Sequence, residues 1–113
     1  MTGHLSQHAD TISKELLRLF IEFWDHEHLD TKSKTTRYRY AAALQSLGGH
    51  LVDLGEQDED SYISVSQLVV DNIIGGEGPL IHHEDEQWQR ELDTVCRKLL
   101  RFIDDSRQRP EEN

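Results

Sequence analysis

The chain predicts an all-α fold, a compact cluster of four helices, and two observations carry that expectation. Apolar residues recur at three- and four-residue steps in the long segments, as in Tyr40, Leu44, Leu47, Leu51 and Leu54, which is the period of one helix face. The only stretch that reads as a strand, the β-branched run over 63–74, has no second strand-like segment to pair with, and an isolated strand leaves its backbone groups unsatisfied. At 113 residues the chain fits one domain of three to five helices and has no room for a second. The expected organisation is a flexible lead-in at 1–9, a four-helix domain at 10–106 and a polar tail at 107–113.

The first helix is expected to open near Asp10, a plausible cap, and to bury Ile12, Leu16, Leu19, Phe20, Phe23 and Trp24, with Leu17 and Ile21 widening the apolar face. Glu15, Arg18, Glu22 and Asp25 form its solvated side. A short link predicts a hairpin with the second helix, capped by Thr31 or Ser33 and closed by a left-handed Gly55. Gly48 and Gly49 inside that helix each lower its propensity by about 1 kcal/mol. Close approach of Trp24 or Trp88 across Gly48 would explain them, and a break in the helix is the alternative. Residues 53–60 read as an exposed acidic loop, and 63–74 as a short helix capped by Ser64 or Ser66. Gly75, Gly76, Gly78 and Pro79 then predict a mobile loop. The last helix is expected from about Glu84 to Ser106, with Trp88, Leu92, Val95, Leu99, Phe102 and Ile103 inward and Pro110 barring extension.

Hydrophobic residues make up 35% and charged residues 30%, a polar but globular composition. No apolar run approaches the roughly 20 residues of a membrane span. The first ten residues lack the basic start and apolar run of a secretory signal, so a cytoplasmic location is expected. Cys96 is the only cysteine, which excludes an internal disulfide, and its leucine and valine neighbours predict a buried thiol. His26 and His28, two positions apart, would point to different sides of a helix, and His82-His83 sit in a loop, so no metal site is expected. The glycines at 75, 76 and 78 lack the Lys-Ser/Thr pair of a phosphate-cradling loop, and no elbow motif singles out a nucleophile. A non-enzyme without cofactor is the resulting expectation.

Charge is unevenly placed. The formal net charge is -10, yet residues 31–52 hold Lys32, Lys34, Arg37 and Arg39 with no acid, and residues 90–109 hold six bases against four acids. Were the second and fourth helices to present these groups on one wall, they would form a phosphate-binding surface. The plainer reading is that these bases balance acidic neighbours.

The order Thr36, Tyr40, Leu44, Leu51, with Leu16 to Trp24 before it and Val65 to Ile74 and Leu92 to Arg97 after it, resembles the amino-terminal core-binding domain of tyrosine recombinases and phage integrases. The resemblance spans about residues 12–104 and implies a SAM-like cluster gripping duplex DNA through Lys34, Arg37 and Arg39, with Arg97 and Arg101 in support. The 113 residues hold no counterpart of that family's catalytic domain, so strand cleavage is not implied. Two functions are therefore carried forward: a non-catalytic module contacting duplex DNA, and an acidic protein–protein adapter, monomeric or weakly homodimeric, docking through Trp24, Trp88 or its small-residue face.

Overall fold

A computed structural model describes residues 7–57, 60 and 62–108. Among them the chain forms helices α1 (Gln7–His26), α2 (Lys34–Gln57), α3 (Val65–Asp71) and α4 (Glu86–Gln108), with a 3-10 turn at Leu29–Thr31 between α1 and α2. The all-α four-helix fold is thus present, and no β-sheet occurs among the described residues.

Local chemistry fixes most boundaries. His28 takes the left-handed conformation, φ 55°, directly after α1, and Trp24 Nε1 donates to Asp30 Oδ1 at 2.9 Å across the corner. Ser33, of the two expected candidates, caps α2 by accepting from Thr36 N at 3.2 Å. Ser64 accepts from Gln67 N at 3.1 Å and starts α3. Asp85 accepts from Trp88 N at 3.1 Å and starts α4. Each cap satisfies an amide that the helix itself cannot.

The first helix starts before the expected Asp10, because Gln7, His8 and Ala9 are already helical and Ala9 is fully buried. Residues 1–6 and 109–113, including Pro110, lie outside the described residues. At the far end of α2 the helix runs through Gly55 to Gln57, so Gly55 is not a left-handed stop. It is a contact glycine: a Cβ there would stand 2.6 Å from Ile12 Cδ1. Neither do Gly48 and Gly49 break α2, and Phe20, not a tryptophan, crosses Gly48, its Cε2 lying 3.3 Å from where a Cβ would stand. Pairing of Ile12 with Gly55 and of Phe20 with Gly48 makes α1 and α2 antiparallel. The acidic loop is correspondingly shorter, and Asp58 and Glu59 fall outside the described residues.

Ile12, Leu16, Leu19 and Phe23 of α1 meet Leu44, Leu47 and Leu51 of α2, Val65 and Val69 of α3, and Leu92, Val95 and Leu99 of α4 in one core. The loop from α3 to α4 is stitched down, contrary to the mobility predicted from its glycines. Gly75 and Gly76, at φ 63° and 80°, make a two-residue turn closed by Ile74 N to Glu77 O at 3.0 Å and Glu77 N to Ile74 O at 3.1 Å. Beyond it Gly78 N donates to Asp93, Ile81 N and His82 N donate to Gln89 Oε1, and Gln89 Nε2 donates to Pro79 O.

Candidate protein-docking groove

The bases singled out by the sequence are distributed over separate parts of the fold. On α2, Lys34 and Arg37 lie on one flank and Arg39 on the other, since residues two or five apart do not share a helix face. Arg37 Nη1 turns back to Lys32 O at 3.0 Å. Arg39 Nε meets Glu91 Oε2 of α4 at 3.8 Å, a long and loose ion pair. Arg97 and Arg101 are one turn apart on α4 but diverge. Arg97 Nη1 donates to Gly76 O at 2.9 Å in the α3–α4 loop, whereas Arg101 lines a shallow recess with His26, Glu27, Lys98 and Asp105. Lys98 Nζ donates to Tyr40 Oη at 2.9 Å and stands 5.7 Å from the centre of its ring. Carboxylates accompany two of the five residues, Glu91 beside Arg39 and Glu27 with Asp105 in the recess of Arg101.

The surface that does gather is apolar. Leu17 and Ile21, expected to widen a buried face, are 60% and 54% exposed. They sit on the flank of α1 while Leu16, Leu19 and Phe23 fill the core side, because α1 carries a wider apolar arc than the three other helices can cover. Between that flank and α2 runs an open groove of ≈ 660 Å³ lined by Leu16, Leu17, Phe20, Ile21 and Trp24 from one helix and Ala41, Leu44, Gln45, Gly48, Gly49 and Val52 from the other. Small residues on α2 create the recess. A Cβ at Gly49 would meet nothing within 4 Å, so no contact among the described residues requires glycine there. Full burial of a leucine or isoleucine side chain is worth about 1.5–3 kcal/mol, and half-exposed Leu17 and Ile21 leave about 1 kcal/mol each unrealised.

The groove has charged ends. Lys34, Arg37, Ala41, Gln45, Gly48 and Val52 follow one another at three- and four-residue steps along one flank of α2, placing two bases at its start. Asp53 lines the opposite end, and exposed Glu56 follows Val52 one turn on. Sequence reading named Trp24 and the small-residue face of α2 as docking candidates, and both line this groove, but it placed Leu17 and Ile21 in the buried face because they share the spacing of core residues. The available signal was the excess width of the apolar arc on α1.

Elsewhere the reactive groups are engaged structurally. Cys96 is fully buried, and burial, with Asp93 adding, pushes its thiol up to about 12 against the opposing pull of Arg97. A thiol so held is a poor nucleophile. Tyr62 donates to Glu15 Oε1 at 2.6 Å, and burial together with that bond raises its phenol above the ordinary range. Among the described residues no three His, Cys, Asp or Glu side chains gather to hold a metal ion, and no helix is long and apolar enough to cross a membrane. Comparison with protein-family models, curated proteins and solved structures finds no match for the chain.

Proposed function

We propose that the chain is a non-catalytic helical interaction module whose docking surface is the α1–α2 groove. The observation that carries this reading is the juxtaposition of two half-exposed aliphatic side chains, Leu17 and Ile21, with an apolar recess of ≈ 660 Å³. Contiguous apolar surface rimmed by polar groups is the usual mark of a protein-binding face. Trp24 adds an aromatic anchor of the kind enriched at such faces. Duplex DNA contact is the less supported function, since Arg39 and Arg97 are turned to Glu91 and Gly76 on different parts of the surface.

Trp24 lines the groove and serves as its reporter. In a Trp88→Phe background it is the only tryptophan, and an anilinonaphthalene sulfonate dye titrated into dilute protein is expected to bind and alter its emission. Ile21→Glu in the same background should remove that response while the helical circular dichroism persists. Dye binding that is equal in the two proteins would place the apolar surface elsewhere and overturn the reading.

A further inference from the structure

The groove has a polarity that its own surface can answer. Its α2 flank begins with Lys34 and Arg37 and ends with Asp53 and Glu56, and α1 lies antiparallel beside it. A two-fold axis crossing the groove at its midpoint sets α1 against α1 and α2 against α2, each pair running in opposite directions. The basic start of one groove then lies over the acidic end of the other, twice. The same operation brings Ile21 and Trp24 of one copy beside those of the other, because Phe20 over Gly48 places that turn of α1 opposite Gln45. It also draws the two α2 helices together through Ala41, Gln45 and Gly49, and the empty space around Gly49 admits that approach.

We infer that the occupant of the groove is a second copy of this chain, joined in an antiparallel two-fold dimer. The inference rests on the docking reading above and adds the identity of the partner. Size supports it. α1 has 20 residues, so the hairpin face is about 30 Å long and roughly 20 Å wide, and the pair buries on the order of 1,200 Å², the lower end of specific interfaces. Complementary ends fix the register, because a parallel arrangement would set Lys34 and Arg37 against their own copies. The result is a weak, reversible dimer.

Sedimentation equilibrium on the full chain, from micromolar to millimolar, reads the association directly. The wild type should dimerise and Ile21→Glu should remain monomeric with its helical spectrum unchanged. Lys34→Glu and Asp53→Lys, both at exposed positions, should each weaken the dimer about tenfold, and the double variant should recover to within about threefold of the wild type. A dimer that survives Ile21→Glu, or single charge changes that the double variant does not rescue, overturns the antiparallel groove dimer. A wild type that is monomeric throughout also overturns it. In that case a Trp24 dye response that is lost in Ile21→Glu leaves the docking surface standing for another partner, and absence of the response removes both.

Discussion

Two glycines of α2 separate two reasons for a helix to carry that residue. Gly55 is packed: a Cβ would lie 2.6 Å from Ile12 Cδ1 and 3.4 Å from Leu68 Cδ2, and Ile12 is itself fully buried, so its methyl cannot swing aside freely. Gly49 stands in open space, with nothing within 4 Å of the same position. Alanine gains about 1 kcal/mol of helix propensity at either site, but at Gly55 overpacking of about 1–3 kcal/mol outweighs it. Gly55→Ala should therefore destabilise the fold by about 1 kcal/mol, the difference between the two terms. Gly49→Ala should stabilise it by about 1 kcal/mol. Urea unfolding in dilute solution, where self-association does not contribute, reads both, and equal signs for the two would show that the packing difference is not felt.

At the scale of elements, the α3–α4 connection illustrates how a glycine-rich loop becomes fixed. Gln89 accepts from Ile81 N at 3.1 Å and His82 N at 2.9 Å and donates to Pro79 O and Asp93 Oδ1, each at 3.0 Å. Gln89→Ala leaves these partly buried groups to find water, at a cost of about 1–3 kcal/mol. Faster hydrogen exchange at the Ile81 and His82 amides should accompany the loss, and unchanged exchange there would mean the side chain does not hold the loop. None of this was legible in sequence, because Gln89 and Asp93 lie off the apolar stripe of α4 and only tertiary placement aims them at backbone. The helices were legible, since Leu44, Leu47 and Leu51, or Leu92, Val95 and Leu99, repeat with the period of a buried face. Boundaries were less so. Gly55 carries the composition of a cap but is determined by Ile12, and His28 ends α1 in a conformation that its residue type only weakly signals. The exposed Leu17–Ile21 wall of the groove escaped for a related reason: periodicity shows that these residues lie on an apolar arc, not whether a neighbour is wide enough to cover it.

For the molecule as a whole, charge and proton uptake give two further expectations. A net charge of -10 and the placing of Glu91 beside Arg39 both oppose the counterion-release gain of duplex binding. Mobility of a labelled duplex at low salt should be unaffected by the wild type, and a shift abolished by replacing Lys34, Arg37 and Arg39 with Ala would restore the DNA reading. Alkaline pH acts through the core. The Cys96 thiol is raised from 9.0 to about 12 by burial, and the Tyr62 phenol is raised above 10.0 by burial and its bond to Glu15. Both groups hold their protons more tightly when folded, so the stability they contribute is fully present below about pH 9, where the unfolded chain is protonated too. As pH climbs, the unfolded chain releases the Cys96 proton first and the Tyr62 proton about one unit later, while the folded state retains them. Stability must then fall. Under reducing conditions the urea midpoint should decline from about pH 9 upward. Cys96→Ala, although about 1 kcal/mol less stable at neutral pH through its small cavity, should decline less steeply between pH 9 and 10. Tyr62→Phe should leave that window unchanged and flatten the decline above pH 10. Parallel curves for all three proteins would show that neither proton is linked to folding.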